Sequence, residues 1–228
     1  MVLELGGNAG VIIAESANVK DIIQTCVNGA FSYSGQICIH AQRFFVHPNL
    51  FDEFVKQMKT ETEKLIAGNP LKKETRVSSM IDEENAKRVE MWVNEALKQG
   101  AKLICGGKRK GNFYEPTILT NTTTKVKVNA EEIFGPVICI EKYNGKIEDA
   151  VNKINDSKFG LQCGLFTDSV KELDYCFKYI DVGGIIHNNV PTLRFDQMPY
   201  GGVKESGLGR EGLKYAIMDM LEAKILVK

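Results

Sequence analysis

A cysteine placed shortly after a glycine is the residue of this chain best suited to covalent chemistry. It lies in the segment Ser34-Gly35-Gln36-Ile37-Cys38-Ile39. A thiolate is a strong nucleophile, but only a few per cent of an ordinary thiol is ionised at neutral pH, so its surroundings must lower its pKa or supply a base. A free cysteine is otherwise a small buried hydrophobe. Cys38 is therefore a candidate nucleophile that depends on partners elsewhere in the chain.

The other thiols and the histidines do not form a second site in the sequence. The cysteines stand at positions 26, 38, 105, 139, 163 and 176, without CxxC pairs or zinc spacing. Their scatter through apolar segments indicates reduced thiols in a cytoplasmic protein rather than a disulfide framework. His40, His47 and His187 show no ligand spacing, so we interpret them as structural and expect no metal.

Composition indicates a globular protein without a strong bulk charge. Of 228 residues, 43% are apolar and 25% charged, and 29 basic residues balance 29 acidic ones. That balance argues against nucleic acid or an anionic membrane surface as a partner. The apolar runs are also too short to cross a bilayer.

Strands and amphipathic helices alternate along the chain, and they must position the candidate residues. Strands are predicted at 11–14, 43–47, 102–105, 114–119, 137–143, 163–166 and 184–188. Helices are predicted at 19–30 (N-cap Asn18), 51–66, 82–97, 147–154 and 170–180. Such alternation predicts an α/β fold with a largely parallel, open, twisted sheet that carries helices on both faces.

The two ends of the chain depart from this alternation. Residues 1–7 enter directly as an apolar strand, which suggests a piece of a longer protein. After residue 188 the sequence is rich in glycine, with helical turns expected near 215–220. Residues 223–228 read as a terminal strand without a local partner, and an open strand edge invites pairing with another chain.

Five ordered segments together resemble the signatures of the aldehyde dehydrogenase superfamily. They are Leu3-Glu4-Leu5-Gly6-Gly7, Ser34-Gly35-Gln36-Ile37-Cys38, Glu131-Glu132-Ile133-Phe134-Gly135-Pro136, Pro199-Tyr200-Gly201-Gly202 and Ser206-Gly207-Leu208-Gly209-Arg210-Glu211. The resemblance implies that Cys38 adds to an aldehyde, and that the resulting thiohemiacetal expels hydride to NAD or NADP. It gives Glu4 the role of general base for hydrolysis of the thioester, with a carboxylic acid as product.

The resemblance also implies roles for residues around this pair. Glu132 and Phe134 would contact the ribose and nicotinamide half of the cofactor; the alternative is an acidic loop with a core phenylalanine. Asn188 would help to fix the active-site wall, or would simply end a strand. Glu211 would lie on a proton or water path, or would form a surface salt bridge.

Arg194 is the candidate for substrate selection. A guanidinium just before the Pro-Tyr-Gly-Gly turn could hold a carboxylate, phosphate or hydroxyl group. The segment 192–196 looks closest to relatives that act on small hydroxyaldehydes, such as lactaldehyde or glyceraldehyde phosphate, and on semialdehydes. The alternative is an ion pair with Asp196 or another acid.

The part of such enzymes that binds most of the cofactor precedes the Glu4 motif, together with an asparagine of the oxyanion hole. No G-x-G-x-x-G between a strand and a helix stands in this sequence. We therefore expect a catalytic domain at 1–220 (glycine-rich tail 206–220), a homo-oligomerisation strand at 221–228, and no dehydrogenase activity from the chain alone. The alternatives are a non-catalytic assembly module and a thiol esterase that uses the same cysteine.

Overall fold

A computed structural model describes all of residues 1–228. The strands are β1 (Leu3–Glu4), β2 (Ala9–Ile13), β3 (Ala41–Val46), β4 (Lys102–Cys105), β5 (Arg109–Lys110), β6 (Phe113–Tyr114), β7 (Thr117–Thr120), β8 (Val137–Lys142), β9 (Phe159–Gly160), β10 (Gln162–Phe166), β11 (Gly184–His187), β12 (Val203–Lys204) and β13 (Gly207–Leu208). The helices are α1 (Val19–Phe31), α2 (Phe51–Thr62), α3 (Glu83–Lys98), α4 (Lys127–Ala130), α5 (Ile147–Asn155), α6 (Val170–Tyr179) and α7 (Leu213–Asp219).

One seven-stranded sheet organises the molecule, in the order β11-β10-β2-β3-β8-β7-β4. Every neighbouring pair is parallel except β4 with β7, which is antiparallel. Three two-stranded pairs, β1 with β13, β12 with β9 and β5 with β6, lie outside it. The predicted α/β class with a largely parallel sheet is confirmed.

Side-chain alternation explains why helices cover both faces of the sheet. In β2, Val11 and Ile13 join the core cluster that includes α1 and α2, whereas Ile12 joins the cluster that includes α5 and α6. Successive strand residues point to opposite faces, so a strand buried on both sides reads as a continuous apolar run. The sheet is therefore a rigid central layer, and the loops at its edges can be placed accurately.

Two predicted boundaries were wrong, each for a local reason. The predicted strand at 114–119 is divided into β6 and β7 around Pro116, because proline donates no ladder hydrogen bond. The helix predicted to 66 ends at Thr62. After Thr62 the bonds tighten to i→i−3, since the N–H of Lys64 donates to the Glu61 carbonyl at 3.3 Å and the N–H of Leu65 donates to the Thr62 carbonyl at 3.1 Å.

The ends of the chain carry less strand than the sequence suggests. The N-terminal strand is only Leu3–Glu4, paired with Gly207–Leu208. Residues 221–228 form no strand in this single chain and are exposed, since a ladder needs a neighbouring strand. Their pairing with a second chain stays a prediction. None of the helices has the length and apolar character needed to cross a membrane.

We expect buried His40 to make the protein less stable in acid. Its Nε2 lies 2.8 Å from the carbonyl oxygen of Ala30, and burial lowers its pKa to about 4 from 6.5. Between these values the unfolded chain binds the extra proton, so stability falls as the pH drops through this window, by roughly 3 kcal/mol in all. Urea unfolding of wild type and His40→Gln at pH 7 and pH 4 measures this, and the variant should lose less. Equal losses would contradict it, and His187→Gln is the control.

Candidate active site

The turn that delivers Cys38 is a strained connection between α1 and β3. Tyr33 and Ser34 adopt left-handed φ values of 52° and 56°. The Ser34 hydroxyl donates to the Ser78 carbonyl at 2.9 Å and accepts from the Ser78 N–H at 3.0 Å. Gly35 has φ +68°, and a Cβ there would lie 2.1 Å from the carbonyl oxygen of Gly135. The turn therefore requires this glycine, and it holds the cysteine segment against the loop that contains Gly135.

Gly7 brings the first sequence motif against the cysteine. A Cβ on Gly7 would lie 1.9 Å from the carbonyl oxygen of Cys38, so only glycine permits this approach. Three residues earlier, Glu4 pairs with Gly207 of β13. The fold thus assembles the Glu4, Cys38 and C-terminal glycine-rich motifs in one place, as the resemblance implies.

Tyr200 is the residue in direct contact with the cysteine sulfur. Its hydroxyl lies 3.3 Å from Cys38 Sγ, and the residue is only 4% exposed. Burial, the contact with Cys38 and the negative charge of Glu4 all raise the pKa of the Tyr200 phenol. The sequence contained Tyr200 within a recognised motif but gave it no role. A hydroxyl-bearing aromatic side chain in a glycine-rich turn was the available signal.

The Glu4 carboxylate is withdrawn from water without a hydrogen-bond donor. Both of its oxygens are buried and lack a partner. Burial raises the pKa of Glu4, and the nearby charge of Glu211 raises it further, whereas Arg194 and Arg210 lower it. A carboxylate with free lone pairs and a raised pKa is suited to accept a proton from water.

Arg194 and Glu211 form an ion pair beside Tyr200. The guanidinium Nη2 lies 3.2 Å from Glu211 Oε2, and its Cζ lies 4.0 Å from the centre of the Tyr200 ring. Of the alternatives for Arg194, an ion pair is therefore present, with Glu211 rather than Asp196 as the acid. A guanidinium held over an aromatic ring next to the cysteine is also placed to meet a negatively charged or hydroxylated group.

The loop with Glu132 and Phe134 reaches the same region from the other side. Gln42 of β3 donates to the carbonyl of Glu131 at 2.8 Å and accepts from the N–H of Ile133 at 3.1 Å. Glu132 Oε1 accepts from the backbone N–H of Gly7 at 2.8 Å, and burial raises the pKa of this carboxyl. Phe134 has a left-handed φ of 43° and is 39% exposed. Glu132 thus contacts Gly7, and Phe134 is partly exposed one residue before Gly135, which packs on Gly35 of the cysteine turn.

Asn188 joins the ends of two neighbouring strands. It is exposed at the end of β11, its N–H donates to the Leu165 carbonyl at 2.7 Å, and its Oδ1 accepts from the N–H of Thr167 at 3.1 Å. These bonds fasten the ends of β11 and β10 together. They agree with a residue that ends a strand, and a role of Asn188 in the wall of the site stays a prediction.

The sequence profile of the aldehyde dehydrogenase family matches residues 1–226. The chain belongs to the aldehyde dehydrogenase family. It is 45% identical over 225 residues to 3-sulfolactaldehyde dehydrogenase of Priestia aryabhattai, covering 99% of this chain and 47% of that protein. It is 43% identical over 227 residues to lactaldehyde dehydrogenase of Methanococcus aeolicus, with 100% and 48% covered.

Two solved structures are similar throughout the chain. Aldehyde dehydrogenase 21 of Physcomitrella patens, crystallised with the reaction product succinate, has a TM-score of 0.96 at 44% identity, with 100% of this chain and 47% of that chain covered. Glyceraldehyde-3-phosphate dehydrogenase GapN of Methanocaldococcus jannaschii, complexed with NADP, has a TM-score of 0.92 at 35% identity, with 96% and 47% covered. The chain spans about half the length of the relatives it matches.

Proposed function

We propose that this chain is the catalytic half of an aldehyde dehydrogenase that oxidises a small aldehyde to a carboxylic acid through Cys38. The observation that carries the proposal is the cluster in which the Tyr200 hydroxyl contacts Cys38 Sγ and the buried, unpartnered carboxylate of Glu4 lies close to Tyr200. A nucleophile and a candidate base for water occupy one small region. That arrangement fits acyl transfer to and from sulfur.

The first half of the reaction forms a bond to sulfur. The Cys38 thiolate adds to the aldehyde carbon, and the electron pair of the carbonyl moves to oxygen, giving a tetrahedral thiohemiacetal anion. The backbone N–H of Cys38 is one donor for that oxygen. Oxidation then requires a hydride acceptor, which a nicotinamide cofactor supplies when bound. With the cofactor bound, it would accept the hydride as the carbonyl re-forms, and Cys38 would then carry a thioester.

The second half releases the product. Glu4 removes a proton from water, and the hydroxide oxygen adds to the thioester carbon. The carbon–sulfur bond breaks, the electron pair returns to sulfur as thiolate, and the carboxylic acid departs. A base with a raised pKa performs this step better than an ordinary surface carboxylate, because its affinity for the proton is higher.

The residues near Cys38 fit one end of NAD or NADP. Glu132 presents a carboxylate that could accept from ribose hydroxyls, and half-exposed Phe134 presents an apolar face suited to a nicotinamide ring. We propose that most of the cofactor is held by a separate cofactor-binding domain, consistent with the half-length match to relatives. We also propose homo-oligomer formation through 221–228, where Ile225, Leu226 and Val227 are exposed.

Two measurements on the purified chain test this function. With an aldehyde and NAD or NADP we expect no reduced cofactor, because most of the cofactor site is missing. With p-nitrophenyl acetate we expect an acyl group on Cys38, located by peptide mass spectrometry. Reduction of the cofactor would refute the proposal that the cofactor site of this chain is incomplete. Acylation spread equally over the six cysteines would refute Cys38 as the nucleophile and would favour the assembly module.

For the substrate we propose a small aldehyde that carries an anionic or hydroxyl group, held by Arg194. The names of the relatives share this chemistry: sulfolactaldehyde, lactaldehyde, aspartate semialdehyde and glyceraldehyde 3-phosphate. Arg194 is 44% exposed at its side chain and has one carboxylate partner. A guanidinium has further N–H groups free for a second anion.

Arg194→Gln should weaken recognition of anionic acyl groups selectively. We expect the rate of Cys38 acylation by mono-p-nitrophenyl succinate to fall about tenfold, as a charged hydrogen bond is lost, while p-nitrophenyl butyrate is affected far less. Release of p-nitrophenol measures both rates. Arg76→Gln, which removes an exposed guanidinium elsewhere, is the control. An equal effect on both esters would assign Arg194 to the structural ion pair with Glu211 alone.

A further inference from the structure

We propose that the Tyr200 hydroxyl donates a hydrogen bond to the sulfur of Cys38 and thereby holds the nucleophile in its reactive position. This inference rests on the proposed function, since it assigns a role beside the same nucleophile. It gives Tyr200 a role in the site, which the sequence did not predict.

The geometry permits a hydrogen bond of defined direction. The oxygen–sulfur distance is 3.3 Å, within the range for an O–H donor to sulfur. Tyr200 is held by two backbone hydrogen bonds to Glu211, at 3.0 and 2.5 Å, and its side chain is buried. A phenol fixed at its backbone and enclosed around its ring has little freedom to turn away. The hydroxyl is therefore held next to the sulfur.

The charged groups around the Tyr200 ring determine whether its phenol keeps its proton. Glu4 on β1 faces the phenol, and Arg194 stacks on the ring face, paired in turn with Glu211; Arg210 lies near Glu4. Burial and the neighbouring negative groups make the Tyr200 phenol a much weaker acid than usual, so its pKa is raised. The phenol therefore keeps its proton at neutral pH and can donate its O–H to the sulfur. A hydrogen bond to the charged form favours that form.

Arg194 holds the Tyr200 ring in place and does not take over its role as the donor to sulfur. A guanidinium over an aromatic face is attracted to the ring and holds it in place. It also opposes the rise in the pKa of Tyr200 caused by the acidic neighbours. Tyr200→Phe keeps the ring, and with it this stacking contact, and removes only the hydroxyl. It is the cleanest variant for isolating the bond to sulfur.

The test is the pH dependence of Cys38 alkylation by iodoacetamide, followed by peptide mass spectrometry on the full chain. Tyr200→Phe should raise the midpoint pH of the reaction by about one unit and slow alkylation at pH 7 about threefold to tenfold. Tyr114→Phe is the matched control, because it removes a buried phenol hydroxyl in a separate core cluster. That variant should retain the wild-type profile.

The outcomes separate this inference from the proposed function. Selective alkylation of Cys38 with identical profiles in wild type and Tyr200→Phe would overturn the role of Tyr200 and leave the nucleophile intact. Wild-type Cys38 that reacts no faster than the other thiols would overturn the proposed function itself. If Tyr200→Phe does not fold, uniform 3-fluorotyrosine labelling gives a more acidic donor, which should lower the midpoint. An unchanged midpoint would then contradict the hydrogen bond.

Discussion

Cys38→Ala is expected to reduce the hydrolysis of p-nitrophenyl acetate by this chain to the rate of buffer. The neighbouring Tyr200 phenol has a raised pKa and is a poor nucleophile, and loss of a covalent nucleophile costs at least about a thousandfold in rate. Steady-state release of p-nitrophenol is the measurement. Intact-protein mass spectrometry should show that the acyl adduct of the wild-type chain is missing from the variant.

The other thiols supply the control. Burial raises the pKa of the remaining five: to about 11 for Cys105, to about 12 for Cys139 and Cys176, and further for Cys26 and Cys163. They are protonated at neutral pH and poor nucleophiles. Cys105→Ala, at a partly exposed thiol, should retain full activity. Full activity in Cys38→Ala would remove the sulfur from the mechanism.

The sheet could be predicted well because the apolar pattern of each strand and helix lies within a short stretch of sequence. A strand covered on both faces must be apolar along its length, and the crossover helices must carry an apolar stripe, so β2, β3, β8 and β10 are visible in the sequence. At the predicted end of the second helix, residue 66 is instead engaged by the connection that follows. The carbonyl of Ile66 bonds to a residue of the following connection, and no pattern within the helix reports that partner.

The site, too, could be predicted only in part from the sequence. The segments that contain Glu4 and Cys38 meet in the fold through glycines that permit close approach, and these glycines are part of the motifs themselves. The partner of Arg194 was left open between Asp196 and another acid, and Glu211 was settled by the backbone pairing of 200 with 211. The contact between Tyr200 and Cys38 joins residues 162 positions apart. Such a contact depends on two loops meeting, which the periodicity of the sequence does not encode.

Glu4→Gln is expected to separate the two halves of the reaction. Acylation of Cys38 should remain fast, because it does not use the base, while deacylation should slow by about a hundredfold to ten-thousandfold. Stopped-flow measurement with p-nitrophenyl acetate should show one rapid burst of p-nitrophenol per chain and almost no turnover afterwards. The acyl group should persist on Cys38. Glu74→Gln, at an exposed carboxylate in the connection between α2 and α3, should turn over like wild type.

The pH dependence of deacylation tests the electrostatics of this base. Burial and the charge of Glu211 raise the pKa of Glu4, and the carboxylate is the active form, so deacylation should fall at a higher pH than an ordinary glutamate would give. Glu211→Gln removes the repulsive charge and also frees Arg194 from its ion pair. Both changes favour the Glu4 carboxylate, so the midpoint should move to lower pH.

The direction of that shift distinguishes two assignments of the base. If Glu4 is the base, Glu4→Gln abolishes the acid limb of the profile and Glu211→Gln moves it downward. If Glu211 itself accepted the proton, Glu211→Gln would abolish the limb and Glu4→Gln would retain it. The unpartnered, buried oxygens of Glu4 favour the first result, since the Glu211 carboxylate is already bonded to Arg194.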